Sequence, residues 1–145
     1  MKAVIQRVNS ATLSVDGEAV SQIGKGLVIY FCVERNDDES NCAVFANKLA
    51  KLRIFEDERG KMNLSVMDVG GEVLFVSQFT LVADLSAGNR PSFVNAELPD
   101  RANQLYLATA QHLNGLGVPT KLGRFGADMT IRQENAGPVT IIWER

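Results

Sequence analysis

Leu27-Val28-Ile29-Tyr30-Phe31-Cys32-Val33 is the longest apolar run in the chain. It is far shorter than the roughly 20 residues a helix needs to cross a bilayer. Apolar on both faces, it predicts a central strand covered from both sides. The segment after it has another period. Within Asp37–Leu52, Cys42, Phe45, Leu49 and Leu52 recur at three- and four-residue spacing, a single stripe of an amphipathic helix. Asp37, Asp38 and Glu39 stand in or before its first turn, where the helix dipole favours negative charge.

Upstream, Val4, Gln6 and Val8, then Ala11, Leu13 and Val15, mix apolar and polar positions around Asn9-Ser10. This predicts one long strand with a bend or bulge. Asp16-Gly17 is a two-residue hairpin signal, Glu18–Ile23 a short strand, and Gly24-Lys25-Gly26 a turn. Downstream, Arg53–Asp57 and Met62-Asn63-Leu64 read as short extended pieces around a turn at Glu58–Lys61. Gly70-Gly71 precedes Glu72–Val82, which reads as a strand throughout, and Asp84–Phe93 reads as a loop. A second helix fits Asp100–Asn114, with Ala102, Leu105, Tyr106, Thr109 and Leu113 on one face, Asp100 as its cap, and Gly115, Gly117 and Pro119 ending it. Three closing strands follow, Val118–Phe125, Asp128–Gln133 and Val139–Trp143, with Asn135–Pro138 turning between the last two. Strands, helix, strands, helix, strands is the order of a mixed α/β layer fold in which two helices cover one side of the sheet.

The chain has 145 residues, which predicts a single domain spanning 1–145. With 46% apolar and 22% charged residues it has ordinary globular values. Its 15 basic and 17 acidic side chains give a charge of −2, which excludes a general basic coat for duplex DNA. One histidine, His112, and two cysteines, Cys32 and Cys42, are too few for a zinc site, and no cofactor is expected. The absence of a disulfide framework and of a signal-peptide apolar region behind Met1-Lys2 predicts a cytoplasmic protein with no membrane partner.

Most familiar chemistries find no footing. A serine–histidine–acid triad needs a histidine beside a nucleophile, and His112 lies beside a helix stripe, as a partly buried packing or capping residue would. Gly24-Lys25-Gly26 lacks the Gly-Lys-Ser/Thr of a phosphate loop. Glu34, Asp37, Asp38 and Glu39 lack calcium-loop spacing. Two segments stand out. In Val76-Ser77-Gln78-Phe79-Thr80-Leu81 a buried strand gains polar residues, and alternation puts Ser77, Phe79 and Leu81 on one face, Gln78 and Thr80 on the other. A strand leaving the core and a functional site explain this equally well. By itself Asn135-Ala136-Gly137-Pro138-Val139-Thr140 reads as a hairpin turn; the functional alternative is a rigid main-chain wall offering carbonyl oxygens to a ligand.

The chain resembles, end to end, the bacterial and eukaryotic D-aminoacyl-tRNA deacylases, the D-tyrosyl-tRNA deacylase family. The resemblance is carried by Gln6-Arg7-Val8, Gly60-Lys61-Met62-Asn63, Ser77-Gln78-Phe79-Thr80-Leu81, Arg90-Pro91-Ser92-Phe93, Gly123–Met129 and Asn135–Thr140. It implies a barrel-like homodimer with active sites at the subunit interface. It implies hydrolysis of the ester joining a D-amino acid, or glycine mischarged on alanine tRNA, to the terminal adenosine of tRNA, a proofreading step in translation. It implies a cis Gly137-Pro138 bond whose carbonyl oxygens, turned the same way, reach into the partner's pocket and capture the α-amino group. An L side chain would clash there, and glycine would pass. Arg7 would hold this motif.

The same resemblance points to the backbone amides of Phe79 and Thr80 as donors to the developing oxyanion, within the segment Ser77-Gln78-Phe79-Thr80. It adds Met129, Phe93 and Ala127 as substrate-binding positions, with Phe79 or Phe93 able to stack on adenine. The 2′-hydroxyl of the terminal ribose would assist. The Thr80 hydroxyl is an alternative nucleophile, although no general base for it is visible in the sequence. Lys48, Lys51 and Arg53 fit phosphate contacts or, better, a solvated helix face. With an acidic chain, tRNA binding should be weak, salt-sensitive and centred on the acceptor end. The rival readings are a non-catalytic RNA-end or nucleotide-binding dimer and a purely structural dimer.

Overall fold

The structure, a computed structural model, describes residues 1–145. Strand β1 (Lys2–Val15) is its spine. After the Asp16-Gly17 turn, β2 (Glu18–Ile23) runs back along the C-terminal half of β1, and β3 (Gly26–Cys32) continues along its N-terminal half. These two strands lie end to end on one edge of β1: Ala11 faces Ile23 and Val8 faces Gly26. Helix α1 (Glu39–Ala50) follows, then the short pair β4 (Phe55–Glu56) and β5 (Met62–Leu64). Next come β6 (Glu72–Ser77), a 3-10 turn at Phe79–Val82, and helix α2 (Pro99–Gly115). Strands β7 (Thr120–Leu122) and β8 (Thr130–Glu144) close the chain.

The main sheet runs β2-β1-β3-β6-β7, and β8 pairs along the other edge of β1. Pairs β3–β6 and β6–β7 are parallel; those made by β1 are antiparallel. Both helices lie on one face. Leu27, Ile29, Phe31, Val73 and Phe75 point to that face and share a core with Phe45 and Leu49 of α1 and with Leu105, Tyr106 and Leu113 of α2. Phe45 is fully buried, edge-on to Phe31 and stacked on Trp143 at 3.9 Å. Truncating such a ring to alanine costs about 3–5 kcal/mol. The alternate residues Val28, Leu74 and Val76 point the other way, into a second core with Val8, Ala11, Leu13, Val15 and Ile23, where the sheet curls on itself. Strand β1 changes faces along its length: Ala3 and Ile5 serve the first core, Val8 onward the second. The change coincides with register shifts against β8 on either side of Val8, and a one-residue slip exchanges the faces of a strand.

The expected layering is present, and several boundaries move. Helix α1 begins where Asp38 caps it: its carboxylate accepts from the amides of Ser40 (2.8 Å) and Asn41 (3.4 Å), and the Asn41 side chain returns a bond to the Asp38 amide. Helix α2 begins earlier than expected, with Pro99 in its first turn and Leu98 at the cap position, so Asp100 lies in the first turn and is not the cap. The Arg53–Asp57 strand shrinks to β4 and Val118–Phe125 to β7. His112 is exposed in the last turn of α2, not partly buried. The two closing strands separated by a turn are one strand, β8, interrupted at Ala136–Val139. No helix is long and apolar enough to cross a membrane.

Candidate active site

Strand β6 ends because its partner ends. Its last pair is Ser77 with Phe31, and the Gln78 amide makes one further bond to the Phe31 carbonyl at 2.8 Å. β3 stops at Cys32, and with no ladder beyond it the chain coils at Phe79–Val82. The strand expected over Glu72–Val82 is therefore five residues shorter, and the expected alternation through Leu81 is absent. In the 3-10 turn the Leu81 amide bonds the Gln78 carbonyl (3.3 Å), and the amides of Phe79 and Thr80 lead the turn with no acceptor inside it.

A cavity of about 490 Å³ opens at this strand end. The C-terminal ends of parallel strands are where open α/β sheets gather ligands. Ser77, Gln78 and Phe79 form one wall, Ala96, Glu97 and the start of α2 another, and Phe125–Met129 a third. Val76, Met129 and Ile131 carry the lining down to the inner core. Of the residues singled out from the sequence, Ser77, Gln78, Phe79, Ala127 and Met129 line it. Thr80 stands beside it, exposed, and its hydroxyl accepts from the Gln78 side-chain amide. That amide is a donor and cannot take a proton from the hydroxyl. Phe93 is not in the lining. It lies edge-on to Phe79 with centroids 5.2 Å apart and braces that ring, which is 56% exposed at the mouth.

Among the lining residues that were not expected at the site are Cys32 and Glu97, while Asp128 belongs to the quoted Gly123–Met129 motif without having been given a role. Cys32 ends β3, one residue past its last pair with β6, and comes to the cavity through that parallel pairing. Its thiol points to the carbonyls of Val33 (3.4 Å) and Phe79 (3.6 Å), and burial pushes its pKa up to about 12. It stays a protonated thiol at neutral pH and is no nucleophile. No group of three His, Cys, Asp or Glu side chains stands close enough to hold a metal ion.

Arg7, Gly137 and Pro138 lie elsewhere. In the pairing of β1 with β8, Gln6 faces Thr140 and Val8 faces Asn135, so the four residues Ala136–Val139 bulge out opposite Arg7 alone. The Gly137-Pro138 bond is cis, and both residues are exposed. Gly137 has φ of 126°, and a Cβ there would lie 3.0 Å from the Val139 amide nitrogen and 3.1 Å from an Arg7 guanidinium nitrogen, so no other residue fits unstrained. Arg7 is 8% exposed. Its Nε donates to the Ala136 carbonyl (3.1 Å) and a terminal nitrogen to the Ile54 carbonyl (2.7 Å). Ser77 pairs with Phe31 and Phe31 with Ala3. Arg7 is four residues further along β1, about 13 Å at about 3.3 Å per residue. The bulge is therefore displaced by about 13 Å along the strands from the end of β6 in the same chain.

The chain is 52% identical over 141 residues to the D-aminoacyl-tRNA deacylase of Paracoccus denitrificans (strain Pd 1222), covering 97% of this chain and 95% of that one. It is 47% identical over 142 residues to the protein of that name from Thermoanaerobacter sp. (strain X514), covering 98% and 95%. A solved structure named c-Myc DNA Unwinding Element Binding Protein superposes with a TM-score of 0.94 at 39% identity, covering 100% of this chain and 99% of that one. A structure described as a probable eukaryotic D-amino acid tRNA deacylase shares the fold, with a TM-score of 0.83 at 18% identity and coverage of 98% and 97%. The model of the D-Tyr-tRNA(Tyr) deacylase family matches residues 4–144, and the chain belongs to that family.

Proposed function

We propose that this protein is a chiral proofreading hydrolase of translation. It cleaves the ester of D-aminoacyl-tRNA, and of glycine mischarged on alanine tRNA, and it spares L-aminoacyl-tRNA. The observation that carries the reading is Ser77-Gln78-Phe79-Thr80 at the mouth of a largely apolar cavity, in a chain whose relatives bear the deacylase name.

Water attacks the ester carbonyl carbon, and the developing oxyanion accepts from the Phe79 and Thr80 amides, fixed where the 3-10 turn starts. The ester carbon–oxygen bond then breaks, the ribose 3′-oxygen leaves with a proton, and the neighbouring 2′-hydroxyl assists. The Thr80 hydroxyl is bonded to an amide donor and has no base, which favours attack by water over an acyl-enzyme. Positioning in a preorganised pocket supplies the remaining rate. Met129 and Ala127 bound the aminoacyl group, and Phe79, braced by Phe93, offers a half-exposed ring to the adenine.

The protein acts as a homodimer in the cytoplasm, with residues 1–145 working as one unit. Gly137-Pro138 of one protomer enters the partner's cavity, meets the α-amino group with main-chain carbonyls and excludes an L side chain. Its distance from the cavity of its own chain, the exposure of the bulge, and the exposed apolar Phe79 and Leu98 at the cavity rim support this arrangement. The tRNA is held mainly by its acceptor end.

A second reading, a non-catalytic nucleic-acid-end binder, draws support from the 39%-identical neighbour named for DNA binding. Incubating purified protein with D-Tyr-tRNA and L-Tyr-tRNA separates the two. Rapid release of D-tyrosine alone is expected. Binding of the acceptor end with release of neither would favour the second reading.

A further inference from the structure

Arg7 holds the Ala136–Val139 bulge from behind, at one carbonyl. The backbone ladder gives no help across the bulge, because the β1–β8 register breaks there. A separate set of side-chain bonds bridges the break. The Gln133 amide nitrogen donates to Gln6 Oε1 and to Asn135 Oδ1, both at 2.7 Å. The Gln6 amide nitrogen donates to Thr140 Oγ1 at 3.3 Å, and the Tyr30 hydroxyl donates to Gln133 Oε1 at 3.3 Å. Asn135 and Thr140 are the two feet of the bulge. We propose that Gln6 and Gln133 are positioning residues that tie these feet together and so set the discrimination between D and L substrates, an inference that rests on the selective role given above to Gly137-Pro138.

The bond directions form one consistent set. A carboxamide nitrogen has two hydrogens, and Gln133 spends one on each partner. Gln6 must then accept with its oxygen and donate with its nitrogen to Thr140. Tyr30 anchors the chain from β3, where it pairs with Val76 and packs against the second core. Burial raises the Tyr30 pKa, so the phenol remains a donor at neutral pH. Asn135 and Thr140 are exposed, so water satisfies them when the tie is cut. The fold then loses little, while the feet gain freedom. That separates positioning from a merely structural role.

The test compares Gln133→Leu, Thr140→Val and Thr140→Ser. The readouts are the ratio of D-Tyr-tRNA to L-Tyr-tRNA deacylation and the thermal unfolding midpoint. Gln133→Leu and Thr140→Val should each lower the D/L ratio about fivefold, the worth of one net hydrogen bond. Their midpoints should stay near wild type, and Thr140→Ser, which keeps the hydroxyl, should keep the wild-type ratio. An unchanged ratio in both apolar variants overturns the proposal, and so does a Thr140→Ser ratio as low as that of Thr140→Val. If Gln133→Leu does not fold, the two Thr140 variants decide alone. A wild-type protein with no D/L bias overturns the underlying reading, and this inference with it.

Discussion

Replacing Arg7 with alanine removes two bonds from a nearly buried guanidinium to main-chain carbonyls, Ile54 at 2.7 Å and Ala136 at 3.1 Å. A bond from a charged donor is worth about 1.5–3 kcal/mol net. The ion pair with Glu56 is long, at 3.8 Å, and the Glu56 side chain is 59% exposed, so it adds almost nothing. Ala136 is half-buried and water can replace its lost donor, whereas Ile54 is buried and its carbonyl goes unpaired. The net loss is about 3–4 kcal/mol, which lowers the unfolding midpoint of a chain this size by about 10 °C. The bulge loosens with it, and D/L discrimination should fall about tenfold, since the lost bond to the Ala136 carbonyl comes from a charged donor and is worth more than an ordinary hydrogen bond. Thermal melts followed by circular dichroism and paired D- and L-Tyr-tRNA deacylation give both numbers. Arg7→Lys should fall between, because a single ammonium cannot reach both carbonyls in the same fork. A melt unchanged within about 2 °C would refute the energetic reasoning. A lower melt with an intact D/L ratio would refute the role of Arg7 in selection while leaving its role in the fold.

Thr80→Ala should keep substantial deacylase activity, because the hydroxyl has no base and the amides remain, whereas Ala127→Phe should abolish activity by filling the cavity; a trapped acyl-enzyme in the native protein would reverse this. Deacylation corrected for spontaneous hydrolysis should show no thiolate inflection between about pH 6 and 9, since the Cys32 thiol, pushed up to about 12 by burial, stays neutral throughout that range. Iodoacetamide should correspondingly leave the rate intact. Gly26→Ala should prevent folding, because a Cβ there would collide with the Glu72 main chain where β3 meets β6, 2.8 Å from its carbonyl carbon; soluble expression with a native melt would contradict the pairing.

Local signals made the layers legible. The both-sides-apolar run at Leu27–Val33 lies between two cores, and the stripe from Cys42 to Leu49 faces the first of them. Asp16-Gly17 turns where a hairpin signal says it should, and the mixed pattern around Asn9-Ser10 marks the bend in β1. What escaped depends on partners distant in sequence. Phe79-Thr80-Leu81-Val82 has strand-like residues, yet coils because β3 has run out beside it. Asn135–Pro138 has turn chemistry, yet only the continuous pairing of β1 on both sides reveals one strand with a bulge. The cavity was half legible: polar residues at the end of an apolar strand marked Ser77 and Gln78, while Glu97 and Cys32 reach it only through the tertiary fold. The separation of Gly137-Pro138 from its own cavity could not be read from spacing, because it depends on which residues pair across three strands.

The central claim is that the bulge of one protomer screens the cavity of the other. Heterodimers of Ala127→Phe and Gly137→Ala, purified through two different tags, test it most directly. Ala127→Phe closes its own cavity but carries an intact bulge, and Gly137→Ala has an open cavity with a distorted bulge. The one open cavity in such a heterodimer belongs to the Gly137→Ala protomer. Screening by the partner predicts that it releases D-tyrosine from tRNA and spares L-tyrosyl-tRNA, although Gly137→Ala homodimers have lost that discrimination. Heterodimers as unselective as the Gly137→Ala homodimers, or a protein that stays monomeric and selective at micromolar concentration, would contradict it.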